Sequence, residues 1–326
     1  MYRGEIVLQA KQRLNQRKTD KESVYYQHLQ EAYTKLPRLK EIDIELRRTM
    51  TLAAQTVFSQ GGDPVAVMEK VKEQNLALQQ ERKALIEGHF PTGFLDDSPI
   101  CSHCGGSGYV GSTMCDCLKA LCRQEQKASL RQLGNGTERF ENFRLDYYPQ
   151  QFSRELGVAP RTIMEKNLNY AWQYAIKFEK GIGNLLFVGG TGLGKTYLSA
   201  CIADVVTDRG FSVAYESAPR LFGKLEKNRF NPDEESRADA EQFVSCDLLI
   251  IDDLGTEMSS AFVTAAFYDL LNQRLMDGRS MIISTNLNND EIASRYSPQI
   301  ASRILGAFKG LTFVGEDIRM LKTRGI

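Results

Sequence analysis

The amino-acid sequence predicts an α/β protein: a parallel sheet flanked by helices, preceded by a helical N-terminal region with a zinc knuckle. Three observations lead there. From about Arg139 onward, short apolar runs alternate with helical stretches, the pattern of strands buried on both faces by crossover helices. One of those strands runs into Gly189-Gly190-Thr191-Gly192-Leu193-Gly194-Lys195-Thr196. Five of the seven cysteines lie between Cys101 and Cys122.

The chain has 326 residues and 42% hydrophobic content, enough for one sizeable core plus a smaller domain. Residues 1–94 read as a helical region, equally a partner-binding surface or a bundle that merely covers another part of the protein. Tyr25, Leu29, Tyr33 and Leu36 fall at helical spacing before Pro37, which interrupts the pattern. A second helix is expected from there to Val57. Gly61-Gly62 breaks the chain, and Asp63-Pro64 supplies an N-cap and a first helical position. Val71, Leu78 and Leu85 recur every seven residues until Gly88 and Pro91, which suits a helical hairpin or short coiled coil.

Residues 95–125 form the expected zinc module. Cys101-Ser102-His103-Cys104 and Cys115-Asp116-Cys117 flank Gly105-Gly106-Ser107-Gly108. Two close thiolate pairs joined by a glycine-rich turn suit a tetrahedral Zn²⁺ with four closed ligands, hence a structural site. The expected ligands are Cys101, Cys104, Cys115 and Cys117, with His103 or Cys122 able to replace one. A redox role for the C-x-x-C is the weaker reading, because no thioredoxin-like βαβ unit surrounds it. Bound metal would contribute on the order of 10 kcal/mol to folding so short a segment. Residues 126–138, polar and basic with Gly134-Asn135-Gly136, read as a linker.

Residues 139–326 read as the α/β domain. Strands are expected at Asn184–Val188, Phe211–Glu216, Leu248–Asp252 and Met281–Thr285. Helices are expected at Lys195–Arg209, Pro219–Arg229 and Ala261–Met276. The G-x-x-x-x-G-K-S/T pattern between a strand and a helix is a phosphate-binding loop for ATP: glycines let backbone N–H groups approach the phosphates, and the helix N-terminus adds positive charge. Lys195 would reach the β- and γ-phosphates, and Thr196 would ligate Mg²⁺. The run Leu248-Leu249-Ile250-Ile251 ends in Asp252, a candidate for the Mg²⁺ shell, and Asp253, a candidate to orient or activate water. Asn286, after Met281-Ile282-Ile283-Ser284-Thr285, is a candidate to sense the γ-phosphate; the alternative places it in a helix N-terminal turn. The stretch Pro219–Phe230 carries Lys224, Lys227 and Arg229, candidates for phosphate contacts with single-stranded DNA, with Phe222 or Phe230 available to stack on bases. Leu221, Phe222 and Leu225 share one helical face, which also fits a core role.

These strand ends, in this order, resemble the AAA+ P-loop ATPases, in particular the DnaC/DnaI helicase-loader and IstB group. The likeness covers about residues 139–326, from Arg139-Phe140-Glu141-Asn142-Phe143 to Asp317-Ile318-Arg319. It implies that Arg303 is an arginine finger reaching into an adjacent subunit and that Arg319 is a second sensor, where the residues alone allow surface salt bridges instead. A guanidinium at the transferring phosphoryl group can be worth ~10³–10⁵ in rate. Two departures stand out: Asp253 occupies a position where most AAA+ proteins carry Glu, which fits a slow, switch-like ATPase, and the sequence ends soon after Arg319, leaving no room for a helical lid. Some Gram-positive loaders resemble this layout of a zinc-containing N-terminal domain before the ATPase core. The resemblance implies a loader that grips a hexameric replicative helicase through its N-terminal domain, self-associates through its ATPase domains and binds single-stranded DNA. An IstB-like transposition helper that hands DNA to a transposase is the rival; a small-molecule kinase fits Asn286, Arg303 and the paired aspartates poorly.

Composition sets bounds on all of this. Lys and Arg total 41, as do Asp and Glu, so no global field draws the chain to nucleic acid or membrane. The charged N-terminus does not read as a signal peptide, and about 18 consecutive apolar residues occur nowhere. The chain reads as cytoplasmic, and clustered cysteines fit metal rather than disulfides.

Overall fold

The computed structural model describes residues 2, 4–58, 64–131 and 138–324. The chain separates into two compact units, one formed by 12–115 and the other by 1–11 with 116–326. The breaks expected at Gly61-Gly62 and Gly134-Asn135-Gly136, and the Asp63 cap, lie outside the described residues.

In the first unit, helix α1 (Gly4–Lys35, entering the unit at Gln12) meets α2 (Pro37–Phe58) at Pro37, and α3 (Pro64–His89) packs back along α2. Pro is tolerated at a first helical turn but cannot continue a preceding helix, so Leu36–Pro37 becomes the corner. Leu29, Ala32, Leu39 and Ile42 are buried around it. Polar pins add register: Arg82 donates to Asp43 at 2.7 Å and Arg38 to Glu81 at 2.9 Å. Phe90 stacks on Phe94, and Phe94 on His28, whose Nδ1 lies 2.7 Å from the Phe94 carbonyl. A two-stranded hairpin, β1 (Tyr109–Val110) and β2 (Thr113–Met114), follows the first cysteine pair.

The second unit holds the parallel sheet. Helix α4 (Asp116–Arg131) continues through residues 126–131, where a linker was expected. The correction has a local cause: Gln126 is buried and donates to Thr207 Oγ1 at 3.0 Å, and Lys127 pairs with Asp204 and Asp208, so this polar segment is docked. The order then runs α5 (Pro160–Ile176), β3 (Asn184–Val188), α6 (Lys195–Asp208), β4 (Val213–Ser217), α7 (Ala218–Phe230), α8 (Glu234–Ser245), β5 (Leu248–Leu254), α9 (Ala261–Met276), β6 (Ser280–Thr285), α10 (Asn289–Arg295), α11 (Pro298–Ala307), β7 (Phe308–Thr312) and α12 (Ile318–Thr323). The strands lie in the order β4-β5-β6-β3-β7, every pairing parallel. A parallel sheet flanked by helices is the architecture expected from the sequence.

Strand alternation divides the core in two. Leu185, Phe187, Leu248, Ile250 and Ile282 pack with α5 and α6; Leu186, Leu249, Ile251, Met281 and Ile283 pack with α7, α9 and α11. The sequence reading did not name α5, α8, α11, α12 or the edge strand β7. Nor did it name a buried arginine: Arg274, fully buried, donates to the carbonyls of Phe243, Val244, Cys246 and Ser280 at 2.6–3.1 Å. It ties the end of α8 to the start of β6. Among the described residues no helix is long and apolar enough to cross a membrane.

Candidate functional site

Parallel strands bring their carboxyl ends to one edge of the sheet, where ligands bind in open α/β folds. β3 ends in the loop 189–194, β5 delivers Asp252 and Asp253, and β6 delivers Asn286; β6 lies between β3 and β5. The loop is held close to its surroundings. A Cβ on Gly189 would lie 2.4 Å from the Phe313 carbonyl oxygen. Gly192 has φ +73°, and a Cβ there would meet Asp317 Oδ1 at 1.9 Å. From below, the Tyr148 hydroxyl donates to the Leu193 carbonyl at 2.9 Å, and Phe143 stacks on Tyr148. The lead-in segment therefore buttresses the loop.

Lys195 is 5% exposed. Its ammonium donates to the carbonyls of Gly189 (2.6 Å) and Gly190 (2.7 Å) and to Asn286 Oδ1 (2.6 Å). Asn286 Nδ2 also lies 3.4 Å from Thr191 Oγ1. Loop, lysine and Asn286 thus form one bonded group. Asn286 is not a helix cap; Asn288 caps α10, accepting from Glu291 N–H at 2.9 Å. Burial lowers the Lys195 pKa, while Asp253 and Asp252 act against it.

Asp252 is buried, and both carboxylate oxygens are engaged. Tyr215 on β4 donates to Oδ2 at 3.0 Å, and Ser284 on β6 donates to Oδ1. The Ser284 hydroxyl oxygen also accepts the Asp253 N–H at 2.9 Å. Asp252 and the exposed hydroxyl-bearing Thr196 are hard oxygen donors of the kind Mg²⁺ takes. Asp253 stands on a register shift of β5 between Ile251 and Leu254 and has φ +54°, the one positive value at a non-glycine among the described residues. The bulge turns Asp253 outward while Leu254 returns to the core. The protein around Asp253 displaces part of its hydration, which together with the Asp252 charge raises its pKa; Lys195 and Arg319 pull the other way.

The two arginines differ. Arg319 sits at the start of α12, which is moored to the loop: Ile318 N–H donates to the Gly192 carbonyl at 3.0 Å, and Arg319 N–H to Asp317 Oδ1 at 2.8 Å. Its charge acts on both Lys195 and Asp253 of its own chain. Arg303 lies 4.5 Å over the Tyr268 ring, donates to the Tyr268 hydroxyl at 2.8 Å and to Asn272 Oδ1, and reaches the Gln299 carbonyl at 3.3 Å. Its bonds lie on α9 and α11, not on the loop of its own chain.

The basic residues of α7 are mostly paired. Lys224 is engaged by Glu216 and Asp239, and Lys227 lies 2.6 Å from Asp233. Arg229 and Phe230 are exposed, and Phe230 packs on Phe262 with centroids 5.4 Å apart. Leu221 and Phe222 are buried core residues.

The Sγ atoms of Cys101, Cys104, Cys115 and Cys117 all lie within 4.8 Å of one another. A tetrahedral Zn²⁺ with Zn–S of 2.3 Å sets S···S at about 3.8 Å, and Cys101 and Cys115 are 3.8 Å apart. The glycine turn serves this geometry: Gly105 N–H donates to the Cys101 carbonyl and Gly108 N–H to Cys104 Sγ at 3.3 Å. His103 is exposed beside Ser102, and Cys122 is buried with its pKa raised by that burial; neither belongs to the group.

Residues missed in the sequence are those that hold the named ones: Tyr215 and Ser284 at Asp252, Asp317 at Gly192, and Tyr268 and Asn272 at Arg303. Ser284 stood in the strand quoted for Asn286, and Asp317 in the stretch quoted with Arg319. The others have no local signature, since their partners are distant in sequence.

Comparison with known proteins places this half of the chain. Residues 160–307 match the family described as IstB-like ATP binding protein. The replicative helicase loader DnaC of Escherichia coli K12 is 24% identical over 137 residues, covering 42% of this chain and 56% of that protein. The insertion sequence IS232 putative ATP-binding protein of Bacillus thuringiensis subsp. berliner is 26% identical over 151 residues, covering 45% and 59%. Crystal structures of the DnaC helicase loader and of DnaI align with TM-scores of 0.44 and 0.42 at 21% and 23% identity; they cover 54% and 47% of this chain, and 98% and 85% of their own. The chain spans little more than half the length of the curated relatives it matches. In sequence, this half of the chain is similar to the replicative helicase loader DnaC and to IstB-like ATP binding proteins.

Proposed function

We propose that the chain is an ATP-driven loader of a hexameric replicative helicase. The observation that carries this reading is the joining of a core similar in sequence to DnaC with a separate helical unit and a four-cysteine cluster. In this reading the loop 189–196 holds the ATP phosphates, with Lys195 at the β- and γ-phosphates. Asp252 and Thr196 would hold Mg²⁺, which when bound neutralises charge on the phosphate oxygens. Asp253 orients the attacking water, Asn286 and Arg319 read the γ-phosphate, and Arg303 acts on the nucleotide of a neighbouring subunit.

The placement of the arginines supports a switch. Arg319 belongs to its own site electrostatically, whereas Arg303 is presented from α11 by α9. A short carboxylate at 253 fits slow turnover between two states. The helical unit would grip the helicase, and Cys101, Cys104, Cys115 and Cys117 would hold a structural Zn²⁺. In this reading Lys224, Lys227 and Arg229 contact single-stranded DNA beside the exposed Phe230, with Lys224 and Lys227 exchanging acidic partners for phosphates. Action would be in the cytoplasm.

An IstB-like transposition helper is the second reading, favoured by the family match over 160–307. Co-purification decides between them. Retention of the host's hexameric helicase, dependent on the helical unit, supports the loader; retention of a transposase and no helicase overturns it.

A further inference from the structure

Just past the paired aspartates lies a buried acid that neither nucleotide nor metal accounts for. Glu257 is 5% exposed. Its Oε2 accepts the Gly255 N–H at 3.0 Å. Its Oε1 accepts the Tyr296 hydroxyl and faces Arg295 Nε at 3.4 Å, and its backbone carbonyl accepts from Arg295 Nη2. A buried carboxylate is costly to desolvate unless ion-paired and hydrogen-bonded, and this one meets both conditions.

The bonds span two pieces of backbone. One is the turn after Asp253, closed by Thr256 N–H and Oγ1 donating to the Asp253 carbonyl at 3.2 and 2.8 Å. The other is the end of α10, where Arg295 and Tyr296 lead into Ser297, the N-cap of α11. Asp253 occupies a left-handed conformation on a β-bulge, an arrangement that persists only when its surroundings over-determine it. Ser284 fixes its N–H and Thr256 its carbonyl; Glu257 fixes the turn that Thr256 closes.

We propose that Glu257 is a positioning residue for Asp253, holding the bulged turn in the conformation that aims the Asp253 carboxylate at the nucleotide. The inference rests on the reading of Asp253 as the group that orients water. Glu257 touches no reacting atom; it acts through the turn, and Arg295 and Tyr296 anchor it.

The test is single-turnover ATP hydrolysis alongside ATP affinity, in the full chain. Glu257→Gln replaces an acceptor oxygen with an NH₂ facing donors, so the turn loosens. A misplacement near 1 Å can cost on the order of 100-fold, so the rate is expected to fall roughly 10- to 100-fold while the ATP dissociation constant stays within about two-fold. In an Asp253→Asn background, Glu257→Gln should slow the residual rate no further, because groups acting as one unit are not additive. Tyr296→Phe, which deletes one hydroxyl, gives a milder change with the same split and serves if Glu257→Gln does not fold. An unchanged rate in both variants, or a further loss in the Asp253→Asn background, overturns the proposal. Full activity in Asp253→Asn alone refutes instead the reading of Asp253.

Discussion

Gly192→Ala is a perturbation whose size follows from the loop geometry. The backbone at this position has φ +73°, and an L-residue there costs about 1–2 kcal/mol. The added methyl carbon falls 1.9 Å from Asp317 Oδ1 and 2.2 Å from its Cγ, so the carboxylate must leave. That carboxylate caps α12 through the Arg319 N–H, and losing a cap costs about 1 kcal/mol. Together these give about 2–3 kcal/mol, a factor of roughly 30–150 in any equilibrium that requires the docked loop. The assay pairs thermal melting with titration of a fluorescent ATP analogue. ATP affinity should fall by about that factor. Asp317→Ala alone should lose the cap, about 1 kcal/mol. The double variant should be no worse than Gly192→Ala, because both routes remove the same cap. Parental affinity in Gly192→Ala would refute the close packing of α12 on the loop, and strict additivity would refute the shared cap.

Other expectations are independent of that one. Ser284→Ala frees one oxygen of Asp252 and the Asp253 N–H; the Mg²⁺ concentration for half-maximal hydrolysis should rise roughly 10- to 100-fold, checked by Mg²⁺ titration with Asp252→Asn as a reference. Metal analysis should find about one zinc per chain, lost on Cys101→Ser with unfolding of the hairpin segment; a metal-free, well-folded parent would refute the cluster reading. Arg274→Met strips four carbonyls of a buried cationic donor. Each buried carbonyl left without a donor costs about 1–3 kcal/mol, so the loss should be at least a few kcal/mol, a drop of roughly 10 °C in a domain of this size, followed by calorimetry.

What could be read from the sequence was what repeats locally. The loop between an apolar strand and a helix, the strand that ends in two aspartates and the strand before Asn286 all carry their meaning within a few residues. Their elements appeared close to where they were expected; Asn184–Val188 and Ala261–Met276 match in both bounds. Strand β7 was missed because it is short, contains Lys309 and Gly310, and lies half exposed at a sheet edge. Helix α8 was missed because its acidic, polar sequence carries few apolar residues, although Asp233 and Ser236 form a capping box at its start. Residues 126–131 looked like linker because polarity was read as exposure, whereas Gln126 and Lys127 are polar and docked. Glu257 and Arg274 draw their importance from partners on other elements, and no spacing announces them.

Helicase loading onto closed circular single-stranded DNA puts the central proposal to the most direct test. A ring has no end to thread, so the hexamer must be opened. With the protein and ATP, helicase should be recovered on the circle and resist dilution, and Lys195→Ala should abolish this while leaving the helicase intact. Equal recovery with and without the protein, or with Lys195→Ala, would contradict it.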